Sequence, residues 1–208
     1  MRDGVRTKER ILEIAGEEFA NRGYDGARVD EIARRSKVSK NLIYHYFNSK
    51  DALFVAVLEQ AYQDLHERHR QIALDDTSPL EGVRRLVKEV FTYWSQSRRF
   101  IGYLNSENFH KAKHIKKSQN VHNAYVTLIA TIKRLLADGE REGVFRAKVD
   151  PVQLYISISA MAYHYFSNQH TFSVVFKKDF TATNMLAQRL QHIEEVVIGY
   201  LRDKTSSG

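Results

Sequence analysis

The amino-acid sequence predicts an all-α protein, with a small N-terminal three-helix unit followed by a larger helical region. Apolar residues recur at three- and four-residue spacing along most of the chain, which is the period of a helix with one buried face. Both prolines, Pro79 and Pro151, stand where helices are expected to begin. No region shows the sustained alternation typical of strands, and only residues 171–176 are left open as strand or loop.

The N-terminal region contains three short apolar stripes and the start of a longer fourth helix. Gly23 is expected to end the first helix, and Ser39 is placed to cap the third. The stripes are formed by Ile11, Ile14, Ala15 and Phe19, by Val29, Ile32 and Ala33, and by Leu42, Ile43, Tyr46 and Phe47. Asn48 and Ser49 then break the chain before the fourth helix. We therefore predict one domain over residues 1–50 and a second over residues 51–208.

The larger region carries two strong helix-start signals. Ser78 and Asp150 are N-cap residues, each followed by a proline at the first helical position. The helix expected over residues 151–169 is apolar on nearly every side, and such a helix must be buried on every side. We expect it to pack, with a last helix over residues 184–202, against the same helices of a second subunit.

Composition and charge restrict the functional class. The chain has no cysteine, which excludes disulfides, thiolate zinc sites and cysteine nucleophiles. Its N-terminus is polar and no apolar run approaches the roughly 20 residues of a membrane span, so we expect neither a secretory signal nor membrane contact. The net charge of +7 favours an anionic partner, with nucleic acid first. The expected location is the cytoplasm, in association with the nucleoid.

Residues 29–50 carry the pattern of a helix-turn-helix. Two short helices joined by a tight turn allow the second to enter a DNA major groove, while the first braces it. Ile32, Ala33, Val38, Leu42 and Tyr46 are expected to pack the two helices together and onto Ile14 and Phe19. The outward set would then be Lys40, Asn41, Tyr44 and His45, whose side chains suit phosphate and base-edge contacts.

Residues 6–58 resemble the tetracycline-repressor (TetR) family. The resemblance rests on the phrases I-L-E-I-A-G-E-E-F-A-N-R-G-Y, I-A-R-R-S-K-V-S-K-N-L-I-Y-H-Y-F and N-S-K-D-A-L. It implies an all-helical homodimer that represses transcription and releases palindromic operator DNA when a small-molecule effector binds the C-terminal domain. By position it implies DNA contacts from Ser39, Lys40, Asn41, Tyr44, His45 and Lys50.

One position departs from the family pattern. Many members carry threonine or serine just before the second helix, where this chain has Ala27, Arg28 and Val29. Hydroxyl contacts to phosphate from that point are therefore lost, and Arg28 is expected to supply a charged contact instead.

The effector site is expected among aromatic and polar residues of the larger region, because ligand pockets are apolar cavities with a few placed polar groups. Glu107 and His164 would bind a polar or nitrogen-containing ring through charge-assisted hydrogen bonds. The candidate set is Phe91, Trp94, Tyr103, Glu107, Asn108, Tyr125, Tyr163, His164 and Asn168. Core packing is the alternative for every aromatic member. Residues 145–169 resemble the subgroup that includes the pyrimidine-responsive repressor, but no ligand is carried over from it.

Catalytic and metal signatures are not found in the sequence. No serine has the strand-turn-helix context of a nucleophile elbow, and no glycine-rich phosphate loop occurs. His110 and His114 have the spacing of two metal ligands, yet no third ligand stands nearby. We expect no enzyme activity, cofactor or metal. The first alternative interpretation is a ligand-independent architectural DNA-binding dimer. The second is a helical enzyme or small-molecule carrier.

Overall fold

The computed structural model describes residues 2–70, 78–118, 121 and 125–202. Within these residues the chain forms nine α-helices and no strand, which confirms the all-α prediction. The helices are α1 (Arg2–Gly26), α2 (Val29–Ser36), α3 (Lys40–Phe47), α4 (Lys50–Arg70), α5 (Pro79–Gln96), α6 (Arg98–Phe109), α7 (Val126–Arg141), α8 (Pro151–Val175) and α9 (Thr183–Leu201). A short 3₁₀ helix, Ile115–Lys117, follows α6.

Local signals set the ends of the N-terminal helices. Gly23 interrupts α1 with φ 65° and ψ 177°, a conformation that only glycine adopts readily. Ser39 caps α3, since its side chain accepts a hydrogen bond from the Leu42 amide at 3.2 Å. Both sequence predictions are confirmed.

The start signals of the larger region are confirmed as well. The Ser78 hydroxyl accepts from the Glu81 amide at 3.4 Å, and Asp150 accepts from the amides of Val152 and Gln153 at 2.8 and 2.9 Å. Residues 171–175, left open between strand and loop, are the last turns of α8. No proline or glycine stands between Gln169 and Val175 to stop the helix there.

Two compact units divide the chain by packing. Unit 1 comprises Met1–Glu67 and Ser97–Ala124, and it therefore holds α1–α3, most of α4, and α6. Unit 2 comprises Arg68–Gln96 and Tyr125–Gly208, with α5, α7, α8 and α9. The helix-turn-helix thus shares its unit with α6, which comes much later in the sequence. The functional division at residue 50 stays a prediction.

In unit 1, α6 packs closely against α1. A Cβ atom on Gly102 would lie 2.6 Å from the carbonyl oxygen of Ala20, and one on Gly16 would lie 2.6 Å from the Tyr103 hydroxyl. The two helices approach this closely because each presents a glycine where a side chain would collide.

In unit 2, α5 lies against α7, α8 and α9. Leu86, Leu128 and Ile158 are fully buried at the centre of this packing. The indole N–H of Trp94, the single tryptophan, donates to the Ser159 hydroxyl at 3.0 Å and so ties α5 to α8. α8 and α9 form a hairpin, and the Leu201 carbonyl at the end of α9 accepts from the Arg146 amide near the start of α8.

Two glycines of unit 2 provide a matched test of this packing. A Cβ on Gly139 in α7 would lie 1.9 Å from the Phe145 ring, whereas one on Gly199 in α9 meets nothing within 4 Å. We expect Gly139→Ala to lower the free energy of unfolding by about 1–3 kcal/mol. Gly199→Ala should leave it unchanged or raise it by up to about 1 kcal/mol, because alanine favours the helix. Urea denaturation measures both, and equal effects would contradict the packing described.

Candidate DNA-binding and effector-binding sites

The exposed face of α3 is polar. Lys40, Asn41 and His45 are exposed and Tyr44 is half-buried. On the opposite face Ile43 and Phe47 are 1% and 5% exposed, and they pack the helix against the rest of unit 1. Because residues three and four apart in a helix share a face, the four polar side chains form one continuous surface. This surface offers hydrogen-bond donors and acceptors together with a positive charge.

The buried face of α3 differs from the sequence prediction by one residue position. Leu42 and Tyr46 were expected in the core, but both are half-buried, as is Val38. Ile43 and Phe47 take the central places instead. Consecutive helix residues point about 100° apart, so both pairs satisfy the same periodicity and only the packing of α3 within unit 1 chooses between them.

The basic residues around α3 have specific partners. Lys40 pairs with Asp30 of α2 at 2.9 Å, and its side chain is exposed by 46%. The Lys50 ammonium donates to the Asp25 carbonyl at 3.4 Å and lies 4.8 Å from the centre of the Tyr24 ring. Burial lowers the pKa of Lys50 from its ordinary value.

Two further candidates stand at helix N-caps. Arg28 precedes α2, its side chain is exposed, and its backbone amide donates to Glu18 at 3.3 Å. The Ser39 hydroxyl accepts a capping bond and keeps its own O–H as a donor. All seven predicted DNA-binding residues therefore lie in unit 1, on or beside the helix-turn-helix.

Glu107 occupies a buried structural position. It is 2% exposed, and its carboxylate accepts from the amides of His114 and Ile115 at 2.8 and 2.9 Å and from the His114 ring at 2.7 Å. The carboxylate thus holds the turn that follows α6. Since these bonds occupy its oxygens, Glu107 positions the chain in unit 1.

A polar junction joins this turn to the residues that flank the helix-turn-helix. The Tyr24 amide donates to Ser106 at 2.9 Å, and the Tyr24 hydroxyl is hydrogen-bonded to Asp51 at the start of α4. His110 contacts Asp25 at 3.1 Å. Burial, followed by the bond to Asp51, raises the pKa of Tyr24. The four-residue spacing of His110 and His114 was the only sequence signal here, and it suggested metal ligands.

The nine predicted effector-site residues divide between the two units. Tyr103, Glu107 and Asn108 belong to α6 in unit 1, and Phe91, Trp94, Tyr125, Tyr163, His164 and Asn168 belong to unit 2. The structure therefore places Glu107 and His164, the expected pair of polar contacts, in different units.

Aromatic contacts gather part of the set in unit 2. The rings of Trp94 and Tyr163 are 5.1 Å apart, and Phe91 packs on Phe166 at 4.9 Å. Tyr125 packs on Tyr155 at 5.4 Å, and both contact His69. Tyr155 and His69 were not among the residues predicted from sequence, because their positions follow the helical period of ordinary core residues.

The described part of the chain contains no group of three or more histidine, cysteine, aspartate or glutamate side chains arranged to hold a metal ion. None of its helices is both long enough and apolar enough to cross a membrane.

The geometry of α1–α3, with a capped second short helix that exposes a polar face, is that of a helix-turn-helix DNA-binding unit. Comparison with known families agrees. The model of "Bacterial regulatory proteins, tetR family" matches residues 11–57, and that of "Tetracyclin repressor-like, C-terminal domain" matches residues 79–197. The chain therefore belongs to the TetR family of bacterial transcriptional regulators, as its sequence motifs predicted.

Two curated relatives match different shares of the chain. The HTH-type transcriptional repressor NicS of Pseudomonas putida is 30% identical over 197 residues, which are 95% of this chain and 93% of NicS. The HTH-type transcriptional regulator RutR of Escherichia coli is 33% identical over 81 residues, or 39% of this chain and 38% of RutR.

The fold also matches a solved regulator. A putative transcriptional regulator from Saccharomonospora viridis, solved in complex with choline, superposes with a TM-score of 0.71 at 20% identity. The match covers 96% of this chain and 100% of that one. At this identity the comparison establishes a shared fold.

The role of Glu107 can be tested against its neighbour Asn108, an exposed residue whose side-chain amide donates to the Leu104 carbonyl of the same helix at 2.9 Å. Glu107→Ala should lower the free energy of unfolding by about 3 kcal/mol, because it leaves buried donors without an acceptor. Asn108→Ala should change it by less than about 0.5 kcal/mol. Thermal and urea unfolding measure both. Wild-type stability in the Glu107→Ala protein would contradict the structural role.

Proposed function

We propose that this protein is a transcriptional repressor that binds a palindromic operator as a homodimer and leaves it when a small-molecule effector binds unit 2. The observation that carries the proposal is the exposed polar face of α3. The opposite face of this helix is apolar and buried, and the chain belongs to the TetR family. The repressor NicS supports the direction of regulation, since it aligns with 95% of the chain.

The DNA contacts follow from position. Lys40, Asn41, Tyr44 and His45 enter the major groove, where Asn41 and His45 offer the donors and acceptors needed to read base edges. Arg28, Ser39 and Lys50 bind phosphates at the edges of this surface and fix its register on the duplex. The ion pair between Lys40 and Asp30 opens on binding, because an acceptor on the DNA replaces the carboxylate.

The dimer forms through α8 and α9. α8 contains no charged residue, yet Val152 and Ile156 near its start are exposed. Val196 and Tyr200 near the end of α9 are exposed as well. Because α8 and α9 form a hairpin, these four side chains belong to the same end of it. A four-helix bundle with the partner subunit would cover these side chains. It would set the α3 helices of the two subunits about 34 Å apart, which is one turn of DNA.

Release requires the effector to bind the DNA-free state better than the DNA-bound state, and DNA must then weaken effector binding by the same factor. Unit 2 is the proposed effector unit, because it holds six of the nine residues that the sequence suggested for the effector site, Phe91, Trp94, Tyr125, Tyr163, His164 and Asn168. α4 begins at Lys50 beside the helix-turn-helix and runs into unit 2 at Arg68. Ligand-induced movement of this helix changes the separation of the two DNA-binding units.

DNA binding is tested on an operator recovered by selection from random DNA. Asn41→Ala should weaken binding by about 1–3 kcal/mol per half-site and relax specificity at the base that it reads. Lys50→Ala should weaken binding to all sequences and reduce the slope of log affinity against log salt by about 0.9 per half-site. Gln60→Ala, at an exposed position of α4, is the control and should bind as wild type. Equal behaviour of Asn41→Ala and Gln60→Ala would contradict the assignment of α3.

The dimer surface is tested by placing a charge at either end of α8. Ile156→Lys should give a monomer, because the lysine ammonium would have to be buried in the bundle. Val174→Lys is the matched control, since Val174 is 79% exposed on the same helix and lies away from the proposed contact. Sedimentation analysis distinguishes the two species. A dimeric Ile156→Lys protein would place the interface elsewhere.

A further inference from the structure

A groove of about 380 Å³ opens between the end of α8 and the start of α9. One wall is made of Phe172, Phe176 and Phe180, whose three ring centres are each 5.8 Å from the other two. Phe176 is 57% exposed, so this wall is open to solvent. The volume falls within the range of sites that bind small organic molecules.

The wall is fixed before any ligand arrives. The Phe180 amide donates to the Ser173 hydroxyl at 3.0 Å, and the Phe180 carbonyl accepts from the Tyr165 hydroxyl at 2.7 Å. The turn between α8 and α9 is therefore tied back to α8 at two points. A preformed wall binds a flat molecule without the cost of ordering its own side chains.

Arg189 of α9 brings the only permanent charge among the residues that line the groove. One of its terminal nitrogens donates to the Met161 carbonyl at 2.9 Å, and its guanidinium lies 5.8 Å from the Tyr165 ring. In the part of the chain that the structure describes, its Nε has no acceptor and no carboxylate pairs with the group. Burial lowers the pKa of Arg189. A half-buried cation without a counterion is stabilised by any anion that enters beside it.

We propose that this groove binds a small aromatic carboxylate, with the ring against the three phenylalanines and the carboxylate on Arg189. The ligand's charge meets the group that lacks a counterion, and its ring covers exposed aromatic surface. His164 and His192 stand at the lining and offer further donors. Of the residues predicted from sequence, only His164 lines this groove. The inference rests on the proposed function in one respect, because it takes the ligand of this groove to be the effector that releases the operator.

The rival occupant is a second copy of the chain. The exposed apolar residues of the proposed dimer contact, however, lie at the opposite end of the hairpin. Ile156 precedes His164 by eight residues, about 12 Å along the helix. His192 of the groove lies one helical turn from Val196, so a dimer formed through Ile156 and Val196 borders the groove, and the oligomeric state of the Arg189→Gln protein separates the two occupants.

Calorimetry on the full chain tests the two halves of the ligand separately. Benzoate carries both ring and charge, benzamide carries the ring alone, and acetate carries the charge alone. We expect saturable binding of benzoate, at least about tenfold tighter than that of either partial ligand. Benzamide binding as tightly as benzoate, or no benzoate binding at millimolar concentration, would overturn the proposal.

Variants assign the binding to the groove. Arg189→Gln and Phe176→Ala should each weaken benzoate binding about tenfold, and Phe176 is exposed enough that its loss leaves the core intact. Arg141→Gln removes an equal charge from a 72% exposed arginine of α7 and should bind benzoate as wild type. Unchanged affinity in Arg189→Gln would overturn the proposal. So would its conversion to a monomer, because the groove would then hold the second copy.

Operator binding separates this inference from the proposed function. Benzoate should release wild-type protein from its operator, whereas Arg189→Gln should bind the operator normally and resist release. If the protein binds a specific operator and benzoate has no effect on that binding, the groove is not the effector site, but the proposed repressor function is retained. Benzoate binding in a protein that recognises no operator would contradict the repressor and leave the groove as a ligand site.

Discussion

The close approach of α1 and α6 is the contact on which the DNA-binding unit depends. Gly102 lies so near the backbone of Ala20 that even one methyl group would collide with it. This proximity lets Ser106 reach the Tyr24 amide and places the turn held by Glu107 beside the start of α4. The helix-turn-helix is short and could not bury enough apolar surface alone, so α6 completes its core.

Polar groups at this contact give it a single geometry. Glu107 satisfies two backbone amides and one histidine ring, while Tyr24 and Asp51 join the end of α1 to the start of α4. Buried hydrogen-bonded networks of this kind favour one arrangement, because any shift breaks bonds that buried groups cannot replace. The polar face of α3 is presented on a support that is rigid for this reason. Unit 2 differs in charge, since its α8 contains no aspartate, glutamate, lysine or arginine, and it also contains the half-buried Arg189.

Local features of the chain were predictable from sequence. The stop at Gly23, the caps at Ser39 and Asp150 and the family motifs each depend on a few neighbouring residues, and each is confirmed. The rotation of α3 was not predictable, because Leu42 and Ile43 fit the same helical period. Long-range contacts were missed for a similar reason. Glu107 looked like a pocket residue, since nothing in its local sequence shows that a turn seven residues later folds back onto it.

The groove at Arg189 could not be predicted from helical periodicity, because its lining residues come from two helices, α8 and α9, and from the turn between them. DNA recognition by α3 is best tested by selecting bound sequences from a random DNA pool and then titrating salt against the winning sequence. We expect a palindromic consensus with half-sites about one turn apart and an affinity near nanomolar. Weak binding without sequence preference and with steep salt dependence would contradict it, because the protein's positive charge alone would then explain its attraction to DNA.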